Sequence, residues 1–113
     1  MNKKTRKFTR HPIKLKAQFL VEGEKRNWEK CVIINVSREG MGIIFQTHRT
    51  IDIGSTIYLK ILWSTKSKPI NVKGILKWIK KEEDNFIGGI ELLIISQNNI
   101  DIEVPVDGNT FYT

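Results

Sequence analysis

From Ile13 onward the apolar residues of this chain recur at every second position, a period that strands satisfy and helices do not. Ile13, Leu15, Ala17, Phe19 and Val21 alternate with Lys14, Lys16, Gln18 and Glu22, as in a strand with one face buried. A polar turn over Gly23–Asn27 follows, and Trp28 to Val36 resumes an extended pattern, with Val32, Ile33 and Ile34 apolar on both faces. Gly40 and Gly42 punctuate the chain before a short third strand at Ile43, Ile44 and Phe45. Ile57, Leu59, Ile61 and Trp63 alternate with Tyr58 and Lys60; beyond the turn Ser64–Pro69, Ile70, Val72, Leu76 and Trp78 share one parity. The acidic turn Glu82–Asn85 leads into Phe86, Ile87, Ile90, Leu92 and Leu93.

No stretch keeps a 3.6-residue period for more than two turns. The expected fold is therefore mainly β: a small six-stranded antiparallel β-barrel, in which closure removes the exposed edges. The expected organisation is a flexible basic N-terminal arm over residues 1–12, a barrel over 13–95, and a C-terminal tail over 96–113. The tail reads as either a short helix or an extra strand.

Composition narrows the class. A chain of 113 residues with 40% hydrophobic and 27% charged residues is neither disordered nor a coiled coil, and can build one core without staples. The single cysteine, Cys31, excludes a disulfide framework and a cysteine-based zinc cluster, and suits a reducing compartment. No run approaches the roughly 18 apolar residues of a membrane span, and residues 1–12 have no apolar core of a signal peptide, so a soluble cytoplasmic protein is expected.

The net charge of +7 is unevenly placed. Lys3, Lys4, Arg6, Lys7, Arg10, Lys14 and Lys16 stand in the first 16 residues with no acid among them, which leaves 12 bases against 12 acids elsewhere. A basic arm on a neutral body points to an anionic partner, whether nucleotide phosphates, nucleic acid or an acidic membrane face.

Two local patterns sharpen this. Arg6-Lys7-Phe8-Thr9-Arg10 is an R-x-x-x-R just ahead of the first strand, and Asn35-Val36-Ser37-Arg38-Glu39-Gly40 is an N-x-S-x-x-G at the end of the second. If residues 13–22 and 28–36 pair about a turn at Glu24–Lys25, facing positions sum to about 49 and Arg10 lies near Glu39. The two motifs then share one site. Arginine binds phosphate oxygens, or O6 and N7 of guanine, through a planar fork. Asn35 and Ser37 reach a base edge or hold a turn, and Gly40 permits a positive φ or a close approach to a flat ligand. By chance the first pattern is expected about 0.2 times in such a chain and the second about 0.04 times, so their ordered pair is the informative signal.

The pair resembles the PilZ domain family, bacterial cytoplasmic receptors for the second messenger cyclic di-GMP, over roughly residues 5 to 93. That family carries R-x-x-x-R and, one hairpin later, [D/N]-x-S-x-x-G on a six-stranded barrel. Trp78 and the run Gly89-Ile90-Glu91-Leu92 are similar to its later strands. The resemblance implies that Arg6 and Arg10 clamp phosphates and guanine Hoogsteen edges, that Asn35 and Ser37 contact a guanine, and that Gly40 keeps the loop open to the base. It implies a signalling module that binds cyclic di-GMP, requires no cofactor and meets an effector protein. Asn35 stands where the family more often has Asp, and residues 94–113 hold no counterpart of the family's C-terminal helix.

The remaining residues read plainly. His11 and His48 have no partners at metal-ligand spacing, Cys31 is expected as a core thiol, and Glu82–Asp84 as a solvated turn. Ser37 lacks the glycine two positions before it that marks a nucleophile elbow, and no acid–base pair can be assembled, so an enzyme is not expected. Trp28, Trp63 and Trp78 are expected in the core or in barrel-end packing. Two alternatives stand beside the receptor: a small nucleic-acid-binding barrel whose lysines matter as much as its arginines, and a PilZ-like protein-interaction scaffold.

Overall fold

The computed structural model describes residues 11–25, 27–64, 66, 68–97 and 100–103, with the backbone alone at 11, 97 and 100–103. The basic arm carrying Arg6 and Arg10 lies outside the described residues. Seven strands follow one another: β1 (His11–Val21), β2 (Glu29–Val36), β3 (Gly40–Phe45), β4 (Thr56–Ile61), β5 (Ile70–Glu82), β6 (Asn85–Gln97) and β7 (Ile100–Glu103). There is no helix among the described residues.

All pairings are antiparallel, in the order β3-β2-β1-β4-β5-β6, and β3 pairs again with β6. That last ladder closes the six-stranded barrel. β7 adds to the far end of β6, where Ile94 faces Glu103 and Gln97 faces Ile100.

Alternation builds the core as a period of two requires. Ile57, Leu59 and Ile61 of β4 are buried while Thr56, Tyr58 and Lys60 are not, and Ala17, Phe19 and Val21 of β1 meet them across the barrel wall. Phe19 and Phe45 fill the centre edge to face, with ring centroids 4.9 Å apart at 79°. Each fully buried Ile, Leu or Phe contributes about 1.5–3 kcal/mol of transfer free energy, so this closed interior is the main stabilising term.

The β1–β2 pairing runs one residue off the expected register: Ala17 faces Cys31 and Leu15 faces Ile33, then a shift brings Pro12 opposite Asn35 and His11 opposite Val36. β3 starts at Gly40, earlier than the apolar run suggests, because both of its glycines are strand residues over which other groups pass. β5 and β6 extend to the hairpin tip at Glu83–Asp84, where Lys80, Lys81 and Glu82 are exposed and hide the strand from a hydropathy reading.

Candidate functional site

The motif residues Asn35, Ser37 and Gly40 come together where β2 ends and β3 begins. Two irregularities set their geometry. The β1–β2 register shifts between Pro12 and Leu15, and the β2–β3 register shifts between Ile33 and Asn35. The extra residue reverses the side-chain alternation of β2: Cys31 and Ile33 are buried, but the next apolar residue packed on the core is Val36. Asn35 therefore projects outward onto β3, opposite Gly42. A Cβ on Gly42 would stand 2.6 Å from Asn35 Nδ2 and 2.9 Å from Oδ1, so only glycine lets the amide lie there.

The connecting turn is held from two sides. The Ser37 amide donates to the Gly40 carbonyl at 2.8 Å, and the Ser37 hydroxyl donates to the same oxygen at 3.4 Å. The Leu92 amide donates to the Glu39 carbonyl at 3.0 Å, which ties the turn to β6. Gly40 does not take the positive φ that its sequence position allowed; the left-handed glycines among the described residues are Gly23 (φ 89°) and Gly54 (φ 95°). Its requirement is tertiary, because a Cβ at position 40 would collide with the Ile90 carbonyl of β6.

The same surface continues across β6 to β5. Gly42 faces Gly89, and Gly89 faces Trp78. A register shift between Leu76 and Trp78 again reverses the alternation, so that Leu76 is fully buried while Trp78 is 42% exposed. The shared parity read from the sequence had placed Trp78 on the core face beside Leu76; the bulge turns it out. A Cβ on Gly89 would run into the indole nitrogen, so the ring lies over Gly89. Asn35, Gly42, Gly89 and Trp78 thus form one cross-strand row: an amide and an indole flanking a floor of two glycines.

Beside that row a recess of about 260 Å³ is lined by Glu39, Gly40, Lys77, Trp78, Gly89, Ile90 and Glu91. Lys77 Nζ lies 3.5 Å from Glu91 Oε1 across its wall. Gly42 carries no motif signal of its own, and Trp78 and Glu91 stood out in the sequence only through their likeness to the family's later strands. The adjacent Gly88 and Gly89 inside a strand were the available clue, since interior strand glycines mark close approach.

The other two tryptophans are not in the core either. Trp63 is 43% exposed and donates from Nε1 to the Lys68 carbonyl at 3.0 Å, while Trp28 lies under Lys60 Nζ at 4.6 Å. At the opposite end of the β1–β2 hairpin, Arg49 joins two elements: Nε donates to Glu29 at 3.1 Å and Nη2 pairs with Glu24 at 3.0 Å. The guanidinium carbon sits 5.8 Å from the centre of the Phe19 ring. That cluster closes the barrel end remote from Asn35.

Among the described residues no helix is long and apolar enough to cross a membrane. No curated protein sequence matches the chain. Among solved structures it is similar to the Bacillus subtilis inhibitor of motility MotI/DgrA, with a TM-score of 0.61 and 15% sequence identity. The match covers 79% of this chain but 43% of that one, so this chain spans less than half of that protein, and at such identity the likeness shows the fold. The PilZ domain model matches residues 4–104. With the motifs, the closed barrel and a match over most of its length in agreement, the chain belongs to the PilZ domain family, whose members are receptors for cyclic di-GMP and serve as regulatory binding modules.

Proposed function

We propose that the chain is a cyclic di-GMP-binding regulatory module in which the ligand is held between the Arg6/Arg10 arm and the Asn35–Ser37–Gly40 loop. The observation that carries this reading is the register that sets His11 opposite Val36, one residue before Ser37. Arg10 is bonded to His11, so its Cα is within about 3.8 Å of a residue already at the loop, and Arg6 is at most about 18 Å along the chain. Chain length therefore lets both arginines extend to a ligand lying against Asn35 and Ser37. They supply bidentate, charge-assisted bonds to phosphate or to guanine O6 and N7, while the Asn35 amide offers both a donor and an acceptor to a base edge.

Ordering of the arm over the ligand changes the surface shown to an effector protein, a local trigger with a larger readout. Removing one bidentate arginine should weaken binding roughly ten- to a hundredfold. The test is titration calorimetry of the full chain with cyclic di-GMP at physiological salt, with Arg10→Ala as control and with GTP and a single-stranded oligonucleotide alongside. Binding of cyclic di-GMP that Arg10→Ala weakens about tenfold or more supports the receptor. Heat with the oligonucleotide alone, falling steeply with salt, replaces it with a nucleic-acid-binding barrel. No heat with any of the three replaces it with a protein-interaction scaffold.

A further inference from the structure

The turn between β4 and β5 leaves two large apolar side chains in water side by side: Leu62 is 47% exposed and Trp63 43%. The last ladder pair of these strands is Ile61 with Ile70, so residues 62–69 project past the sheet. Lysines surround the two apolar groups. Lys66 and Lys68 are exposed on the tip itself, and Lys14 and Lys16 are exposed on β1 alongside, where the Leu62 amide donates to the Lys16 carbonyl at 3.0 Å. Neither β1 nor residues 62–69 contain an acid. β1 and β4 are antiparallel, so the tip points toward the end of the barrel at which β1 begins, and the basic arm is attached there. The acidic turn of Glu82, Glu83 and Asp84 stands at the far end of β5, so charge is segregated along the barrel.

The tip is also prepared to leave water. Trp63 Nε1 donates to the Lys68 carbonyl at 3.0 Å, and the Lys66 amide donates to Ser64 Oγ at 3.1 Å. Those polar groups have partners within the turn, so entry into a less polar medium does not strip them of hydrogen bonds. A base-stacking site has use for the indole but none for the aliphatic Leu62 beside it. A lipid surface uses both: tryptophan rests at the headgroup level, leucine enters the acyl boundary, and lysines meet anionic headgroups. We propose that the β4–β5 turn is a peripheral docking tip for anionic membrane surfaces. Leu62 and Trp63 insert, while Lys14, Lys16, Lys66 and Lys68 form the basic collar that holds the headgroups. In this pose the acidic turn between β5 and β6 faces away from the bilayer, and the basic arm lies on the side of the membrane. Docking of this kind concentrates the module at a membrane, whatever ligand the motif loop takes.

The test mixes the full chain with vesicles of phosphatidylcholine alone, or of phosphatidylcholine with an equal part of phosphatidylglycerol, and reads binding by co-sedimentation. A background of Trp28→Phe with Trp78→Phe makes Trp63 the sole tryptophan, so that its emission reports insertion. The expected result is binding to the anionic vesicles at least about tenfold tighter than to the neutral ones, weakening as salt rises, with a blue shift of Trp63 emission. Leu62→Ser should weaken it about tenfold, and Lys66→Gln combined with Lys68→Gln about tenfold or more. Thermal unfolding checks each variant, and should Leu62→Ser lose its fold, the lysine pair and the Trp63 emission still decide. Vesicle binding carried by the basic arm alone would leave Trp63 emission unchanged and both variants unaffected, and overturns the docking tip. An emission shift given by a single-stranded oligonucleotide but not by anionic vesicles also overturns it, and assigns the tip to nucleic acid. Failure to bind the anionic vesicles overturns it as well, whether or not the chain binds cyclic di-GMP.

Discussion

The side-chain amide of Asn35 lies on the bare Cα of Gly42, so close that one methyl group there would stand 2.6 Å from Nδ2. The N-x-S-x-x-G asparagine and a glycine outside that motif are therefore one unit, held by the pairing of β2 with β3.

This coupling can be measured. Gly42→Ala should push the amide away, weakening cyclic di-GMP binding about tenfold and costing about 1–3 kcal/mol of stability through overpacking. In an Asn35→Ala background the same methyl meets little, so its stability cost should shrink by more than half. Urea unfolding of the four proteins of this cycle gives the interaction term; an additive cycle would show that the two residues do not touch.

Gly40 rests against backbone rather than a side chain, and a carbonyl in a ladder cannot move aside. Gly40→Ala should collide with the Ile90 oxygen and lower the urea midpoint by an amount worth about 2–3 kcal/mol, with an unchanged m value. A neutral substitution would contradict the close approach of β3 and β6.

The Cys31 thiol is buried between Ala17 and Phe45, and that desolvation pushes its pKa from 9.0 up to about 12. Native protein should resist thiol reagents at pH 8 and react fully once unfolded in urea. The sign of the pH effect follows from the raised value. Above pH 9 the unfolded thiol ionises and the folded one does not, so the folded state holds more protons and stability falls with rising pH. The slope from this group is about 1.4 kcal/mol per pH unit up to the folded pKa. Comparing wild type with Cys31→Ala from pH 8 to 11 isolates it, because the alanine variant lacks that slope.

Arg49 bonds Glu29 on β2 and Glu24 in the preceding turn while stacking near Phe19, so it closes one end of the barrel. Arg49→Met leaves two partly buried carboxylates facing each other and should cost about 1–3 kcal/mol in thermal or urea unfolding. Arg49→Lys keeps the charge but lacks the planar fork, and should fall between the two. Cyclic di-GMP affinity should not change, since this cluster lies at the end remote from Asn35.

Some of this protein can be read from its sequence alone. The alternation of Ile57, Leu59 and Ile61 with Tyr58 and Lys60 makes a strand with one dry face, because a side-chain period of two is a local property of extended backbone. Repeated six times with turn residues between, it makes a closed barrel the economical way to bury those faces. The N-x-S-x-x-G spacing was equally local, and Asn35, Ser37 and Gly40 lie together where β2 passes into β3, although the hairpin register differs from the expected one.

Other features were decided by the tertiary structure. Val32, Ile33 and Ile34 make β2 apolar on both faces, so its sequence shows no break, yet an extra residue between Ile33 and Asn35 turns the amide out and Val36 in. The same device before Trp78 takes the indole off the core face and lays it over Gly89. A bulge depends on which strand lies alongside and in what register, so no periodicity within one strand announces it. Partners distant in sequence follow the same logic: Gly42 with Gly89, Arg49 with Glu24 and Glu29, Lys77 with Glu91. Local chemistry determined that this chain forms strands with a basic arm and a polar loop, whereas barrel closure, by choosing neighbours and reversing two alternations, decided which side chains share a surface.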